Sequence, residues 1–113
     1  KDVDYDRPFR VQTTLKEGDV LDIGGYRIYV EEDCVKADRS RVFGNRKNYR
    51  MVSSTPQLKG SYGLDIVVDK NLIEIFVNNG EYVISNVVYN LQRELTGPIE
   101  KILAGWDDEN EKK

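Results

Sequence analysis

Apolar and polar residues alternate along most of the chain with the two-residue period of a β-strand. The pattern is clearest in three successive segments, 64–68, 73–77 and 82–87. Because successive side chains of a strand point to opposite faces, each segment is typical of a strand with one buried face. Asp69–Asn71 and Asn78–Glu81 separate the segments, and Asn79-Gly80 within the second run suits a type I′ turn. We therefore predict a three-strand meander.

The first third of the chain predicts further strands. Phe9, Val11 and Thr13 alternate with polar residues, and a Gly24-Gly25 pair joins two alternating segments, 20–23 and 26–30. A two-residue glycine connection between alternating segments is a strong hairpin signal. Glu32-Asp33 predicts another turn before a strand at 34–37. The region from 38 to 59 has weak periodicity, and we predict a long loop with one strand near 49–52.

The segment 91–106 fits two interpretations. Its apolar residues have near-helical spacing, but Gly97-Pro98 interrupts them. We favour a loop followed by a closing strand at 99–104, with a short helix at 90–96 as the alternative. The whole pattern predicts an all-β fold, a two-sheet antiparallel β-sandwich of the jelly-roll-like or lectin-like kind, over residues 9–106. Residues 1–8 are expected to be a connector from a missing N-terminal catalytic domain, and residues 107–113 a disordered charged tail.

Composition narrows the function classes. The chain has 113 residues and a net charge of −3, so we expect no nucleic-acid partner. No apolar run approaches the roughly 20 residues that cross a bilayer, so we expect no membrane partner. Histidine is absent, which excludes a Ser-His or Cys-His nucleophile and argues against a metal site or a cofactor. Cys34 is the single cysteine, so no internal disulfide can form. Both the bacterial cytoplasm and secretion are compatible with this, and we favour the cytoplasm.

A family resemblance rests on the stretch from Leu64 to Tyr89, which reads LDIVVDKNLIEIFVNNGEYVISNVVY. It is similar to the pattern L-x-I-x-V-D-x-S-x-x-E-x-F-x-N-x-G-x-x-V-x-[ST] of the C-terminal β-sandwich domains of glycoside hydrolase family 32. That family includes invertases, levanases, sucrose-6-phosphate hydrolases and fructan β-fructosidases. Asp38-Arg39-Ser40 resembles the family's earlier D-R-S motif. Lys70-Asn71 departs from the family, which commonly has Arg-Ser there.

The resemblance implies a non-catalytic domain. The family's enzymes hold their Asp nucleophile, Glu acid/base and stabilising Asp on an N-terminal five-bladed β-propeller, and those motifs are absent here. We therefore expect no enzyme activity in this chain, and a parent glycosidase that acts on β-fructofuranosides such as sucrose, sucrose phosphate or fructans. The expected partner is the propeller of the same polypeptide, and a homodimer is possible. One alternative is a fructan-binding module, and a second is a sandwich that acts only in protein–protein interaction.

Candidate sugar-binding residues follow from the chemistry of sugar sites, which combine an aromatic platform with polar side chains that bind vicinal hydroxyls. The polar candidates are Asp38, Arg39, Arg46, Asp69 and Glu74, and the aromatic candidates are Tyr49, Tyr62 and Trp106. A structural role competes with each of them. Asp69 at a turn can accept backbone N–H groups, Glu74 can pair with Arg39 or another cation, and strand aromatics usually lie in a core.

Phe76 carries a separate expectation. It shares one side of its strand with Glu74, while Ile73 and Ile75 occupy the other side. Both sides of this strand thus carry a large apolar residue. We expect the outer side to be covered by the propeller or by a second chain, since an exposed apolar patch marks an interaction surface.

Overall fold

The computed structural model describes residues 3–44 and 49–104, which form two antiparallel five-stranded sheets. Sheet I has the strand order β10-β1-β6-β7-β8, and sheet II has the order β5-β4-β3-β2-β9. The strands are β1 Phe9–Leu15, β2 Val20–Ile23, β3 Tyr26–Glu31, β4 Cys34–Asp38, β5 Val52–Ser54, β6 Tyr62–Asp69, β7 Leu72–Val77, β8 Tyr82–Val87, β9 Leu95–Thr96 and β10 Lys101–Ala104. A 3-10 helix covers Ser40–Val42. The predicted antiparallel β-sandwich is confirmed.

The core lies between the sheets and is built from alternate residues of each strand. In β7, for example, Ile73, Ile75 and Val77 are fully buried, whereas Glu74 and Phe76 are only partly buried. Because the side-chain period of a strand is two, this alternation fixes which face each strand presents to the opposite sheet. The sequence pattern therefore identified the buried face of the meander correctly.

Two hairpin turns adopt the backbone conformation that their residues predict. Glu81 N donates to Asn78 O at 3.3 Å, and the two residues enclosed by this bond, Asn79 and Gly80, have φ of 61° and 88°. Positive φ at both central positions is the signature of the predicted type I′ turn. Gly24 and Gly25, between β2 and β3, also have positive φ, at 58° and 107°. A Cβ at Gly24 would meet Gln92 O at 2.2 Å, so this glycine also allows a close approach of two backbones.

The regions with weak periodicity differ from their predictions in detail. The strand expected near 49–52 is β5, Val52–Ser54, which pairs with β4. The closing strand expected at 99–104 is β10, Lys101–Ala104, and residues 90–96 form no helix. Instead, Leu95–Thr96 pairs with β2 as the two-residue strand β9, which the sequence did not predict. Leu95 is 2% exposed, so burial of its side chain against the core explains this short edge strand.

The residues before β1 contact the sandwich. Val3 N donates to Arg93 O at 2.9 Å, and the Tyr5 hydroxyl donates to Gln92 O at 2.5 Å. Val3 and Tyr5 also pack against the core. Burial is the main cause that raises the pKa of Tyr5 to about 12, and the nearby Asp22 carboxylate adds a smaller effect in the same direction. The part of the expected connector that is described is therefore attached to the end of sheet II.

The outer faces of the two sheets differ in chemistry. On sheet II, Asp22 pairs in register with Arg27, which pairs with Asp38, so charges of alternating sign cross its centre. On sheet I, the outward rows contain Phe76 beside Val83 and Leu72 beside Val87. Charged rows of mixed sign are typical of a solvated face, whereas grouped apolar side chains are not.

Among residues 3–44 and 49–104, the structure contains no helix with the length and hydrophobicity of a membrane span.

Candidate binding surfaces

Arg39 of the Asp38-Arg39-Ser40 motif links the two sheets at one end of the sandwich. The Asp38 carboxylate accepts from Ser40 N at 2.8 Å at the start of the 3-10 helix. Arg39 Nε donates to Arg50 O and Arg39 Nη1 donates to Val87 O, each at 2.9 Å. Its guanidinium carbon lies 3.7 Å from the centroid of the Phe43 ring. A guanidinium suits this position because its planar fork serves two carbonyls while it stacks on an aromatic ring.

A buried polar chain crosses the core next to this motif. The Tyr26 hydroxyl of sheet II donates to Asn86 Oδ1 of sheet I at 2.6 Å, and Asn86 Nδ2 donates to Ser53 Oγ at 3.3 Å. Tyr26 is fully buried and Asn86 is 7% exposed. Burial raises the pKa of Tyr26, and the nearby Arg39 guanidinium partly opposes this effect. These two hydrogen bonds tie strands of both sheets together, and the Tyr26–Asn86 bond is buried.

The other two acidic candidates lie on the outer face of sheet I. Asp69 is exposed at the end of β6, before Lys70, which has φ of 54°. Glu74 lies on β7 and accepts from Ser85 Oγ at 3.3 Å, rather than pairing with Arg39. Asp69 and Glu74 are diagonal neighbours in the register of β6 and β7, so their Cα atoms are about 7–8 Å apart. Both carboxylates lie on an open sheet surface.

The structure brings some of the candidates together and separates others. Asp69 pairs with Leu72, which pairs with Val87, so it lies about 10 Å from the carbonyl that Arg39 binds. Asp38 and Arg39 thus share one end of the sandwich with Asp69. Tyr62 is 1% exposed in the core, where no ring face is open to a sugar.

Tyr62 has one further feature. Its hydroxyl is buried and makes no hydrogen bond of standard geometry within the described residues. Burial, followed by the nearby carboxylates of Asp33 and Glu17, raises its pKa. Tyr49, another aromatic candidate, is 58% exposed, and its ring centroid lies 5.4 Å from that of Phe43. Trp106 and Arg46 lie outside the described residues.

An apolar patch lies on the β7–β8 edge of sheet I. We define the apolar patch as Leu72, Phe76, Val83 and Val87, which form two cross-strand pairs on either side of the Glu74–Ser85 pair. Leu72, Val83 and Val87 are 40%, 50% and 41% exposed. Phe76 was expected on this outer face and lies there. The grouping of Phe76 with the three aliphatic residues follows from the register of β7 and β8, which pairs Phe76 with Val83 and Leu72 with Val87.

A groove lies beside the apolar patch on the same face, with a volume of about 690 Å³. Its lining includes Arg10, Gln12, Gly63, Asp65, Phe76 and Glu100. Arg10 and Asp65 form a forked ion pair across β1 and β6, with Nη2 to Oδ2 at 2.5 Å and Nε to Oδ1 at 3.2 Å. Sequence reasoning missed this groove, because its polar residues come from strands that are distant in the chain. In the described residues, no cluster of three or more Cys, Asp or Glu side chains could hold a metal ion.

Comparisons with known proteins place this fold in a family. The family model described as "Glycosyl hydrolases family 32 C terminal" matches residues 25–98. The chain belongs to this family. Its sandwich also superposes on the structure of sucrose-6-phosphate hydrolase from Lactobacillus gasseri, with a TM-score of 0.69 and 17% sequence identity. That match covers 89% of this chain and 25% of the other, so this chain spans about a quarter of the length of that protein. No curated protein matches the chain significantly.

The family match confirms the resemblance based on Asp69 to Ser85 and on Asp38-Arg39-Ser40, both of which lie inside the matched residues. In this family 32 domain, the D-R-S residues have clear structural roles, since Arg39 joins the two sheets and Asp38 accepts from Ser40 N at the start of the 3-10 helix. Asn78 has one as well, since its side chain accepts from Gly63 N at 3.1 Å. The motif residues that drew attention in the sequence thus include several that stabilise the fold.

Proposed function

We propose that this domain is non-catalytic and packs, through the apolar patch of sheet I, against an N-terminal catalytic β-propeller of the same polypeptide. The observation that carries the proposal is the contrast between the two outer faces. Among the described residues, sheet I presents two exposed apolar pairs, Leu72–Val87 and Phe76–Val83, whereas the outer face of sheet II presents one, Val20–Tyr29, next to the charged row of Asp22, Arg27 and Asp38. A partner that covers the patch removes apolar surface from water, and an interface of about 600–1,500 Å² is typical of such domain pairs.

The non-catalytic role is supported by the surroundings of the acidic residues. A retaining glycosidase needs two carboxyl groups about 5–5.5 Å apart that flank a bound sugar. Asp69 and Glu74 are diagonal neighbours on an open surface, and neither lines the groove. Glu74 is engaged by the Ser85 hydroxyl. Catalysis in the longer polypeptide is therefore assigned to the propeller.

The parent activity that we propose is hydrolysis of β-fructofuranosides such as sucrose, sucrose phosphate or fructans. Membership of the family and the fold likeness to a sucrose-6-phosphate hydrolase support this assignment. Release of fructose from sucrose, sucrose 6-phosphate and inulin by the longer polypeptide tests it. If the longer polypeptide releases fructose from none of the three sugars, the proposed activity is contradicted.

The packing proposal is tested by Val83→Glu, with Val52→Glu as the matched control. Both valines lie on edge strands and have similar exposure, 50% and 41%, but Val83 lies on sheet I and Val52 on sheet II. In the isolated domain, we expect both variants to change the free energy of unfolding by less than about 0.5 kcal/mol. In the longer polypeptide, Val83→Glu buries an unpaired carboxylate at the interface, which costs about 3 kcal/mol.

The measurement is the melting temperature and the half-life of activity of the longer polypeptide. We expect Val83→Glu to lower both and Val52→Glu to leave both unchanged. Equal behaviour of the two variants would show that the apolar patch is not the packing surface.

A further inference from the structure

The groove on sheet I contains the elements of a site for a neutral polyhydroxylated ligand. Its volume of about 690 Å³ falls within the range of small-molecule sites. Phe76 provides an aromatic surface on one side, and Gln12 lies two strands away on β1, about 10 Å across the sheet. Asp65 lies between them in the same outward row. An aromatic ring next to amide and carboxylate groups can bind both the apolar face and the hydroxyls of a sugar.

The charge of the groove disfavours an anion. Its charged lining residues are one cation, Arg10, and two carboxylates, Asp65 and Glu100. Arg10 is already held by Asp65 in the forked ion pair. A phosphate or a carboxylate ligand would therefore meet a site of net charge −1 without an uncommitted lining cation. A neutral ligand avoids this penalty.

Gly63 keeps the groove open. It lies on the outward face of β6, and a Cβ at this position would have no atom within 4 Å. Its φ lies outside the left-handed region, so the backbone does not require glycine here. A side chain at position 63 would project into the groove instead of contacting the protein. The groove is therefore open because position 63 has no side chain, although its backbone conformation would accept one.

The loop before β10 closes one side of the groove and is fixed in place. Thr13 Oγ1 donates to Pro98 O at 2.5 Å, and Glu100 N donates to Gln12 O at 3.1 Å. On the opposite side, the Asn78–Gly80 turn is held by Asn78 N, which donates to Gly63 O at 2.8 Å. Both walls are thus attached to the strands that form the floor, so the groove needs little reorganisation on binding.

We infer that this groove binds a neutral oligosaccharide, which makes the family 32 domain an accessory sugar-binding site as well as a packing domain. The groove lies on the β1–β6 side of the sheet, and Phe76 separates it from the rest of the apolar patch. Phe76 borders both surfaces, so the docked propeller would cover Leu72, Val83 and Val87 and leave the groove side of the Phe76 ring open to a saccharide at the propeller's border. This inference depends on the proposed function in one respect, because the proposed activity on fructose-containing sugars guided the choice of probes.

The test is a titration of the isotope-labelled chain with a β-2,1-linked fructose tetrasaccharide, a glucose tetrasaccharide and sucrose 6-phosphate, followed by backbone amide shifts. We expect saturable shifts at Gly63, Asp65 and Asn79 with one or both neutral tetrasaccharides. Sucrose 6-phosphate should bind more weakly, because of its charge. Absence of saturable shifts with both tetrasaccharides at millimolar concentration would overturn the inference, as would tighter binding of the phosphorylated sugar.

Variants locate the site. Gly63→Val fills the groove, and we expect it to weaken binding at least tenfold with an unchanged melting temperature. Ser54→Val adds the same side chain to the outer face of sheet II and should leave binding unchanged. Phe76→Ala removes the aromatic surface without touching the core, and we expect about a tenfold loss, which corresponds to about 1.4 kcal/mol.

Retained affinity in a folded Gly63→Val variant would contradict the site, and so would retained affinity in Phe76→Ala if Gly63→Val does not fold. Either result leaves the comparison of Val83→Glu with Val52→Glu unaffected, so failure of the sugar site and failure of the packing role can be distinguished.

Discussion

Replacement of Tyr26 by phenylalanine tests how the two sheets are held in register. The Tyr26 hydroxyl donates to Asn86 Oδ1 at 2.6 Å, and both residues are buried, with Tyr26 0% and Asn86 7% exposed. Tyr26→Phe keeps the ring in the core and removes only the donor. The Asn86 carbonyl oxygen is then buried without a partner.

The magnitude follows from the cost of an unsatisfied buried acceptor, about 1–3 kcal/mol. In a domain of this size, that corresponds to a fall in melting temperature of about 4 °C per kcal/mol. Tyr29→Phe is the control, because Tyr29 lies on the same strand but points to the outer face of sheet II. We expect this control to remain within about 0.5 kcal/mol of the unsubstituted chain.

The assay is urea unfolding monitored by circular dichroism. It is performed as a double-mutant cycle that combines Tyr26→Phe with Asn86→Leu. Removal of both polar partners leaves no orphaned acceptor, so we expect the double variant to be more stable than the sum of the two single changes predicts. A Tyr26→Phe variant as stable as Tyr29→Phe would refute the reasoning, and strictly additive changes would show that the two side chains do not interact.

Three further predictions concern the same framework. Arg39→Ala should lower the free energy of unfolding by about 1.5–3 kcal/mol in chemical denaturation, because two carbonyl groups lose a charged donor; Arg39→Lys should recover only part of it. Gly24→Ala should lower the melting temperature, because its Cβ would meet Gln92 O at 2.2 Å; an unchanged melt would contradict that close approach. Because the pKa of Tyr26 is raised in the folded state, its contribution to stability is present below about pH 10 and is lost as the pH rises above it, by up to about 1.4 kcal/mol per pH unit. Tyr26→Phe should therefore show a shallower alkaline loss in unfolding experiments across this range.

The strands with strong alternation were predictable from sequence, because burial of one face dictates the pattern locally. The meander β6–β7–β8 and the Gly24-Gly25 hairpin are examples. β9 was not predictable in this way. Its two residues have no periodicity of their own, and the strand exists because Leu95 is buried and pairs with Ile23, more than seventy positions earlier.

The functional surfaces were predictable only where a single strand carries the signal. Phe76 could be assigned to an outer face because Ile73 and Ile75 occupy the inner one. The groove could not be found, since Gln12, Asp65 and Phe76 meet through the register of three strands. The charged residues of the D-R-S motif suggested a sugar site, yet Arg39 uses its donors on backbone carbonyls.

Thiol labelling tests the central claim, packing through sheet I, most directly. Cys34 lies on the outer face of sheet II and is a natural reference, and Val83→Cys places a second thiol in the apolar patch. The labelling rates of the two thiols are compared between the isolated domain and the longer polypeptide. The account predicts that the thiol at position 83 is slowed at least about tenfold in the longer polypeptide while Cys34 keeps its rate. Unchanged labelling at position 83, or protection of Cys34 instead, would contradict it.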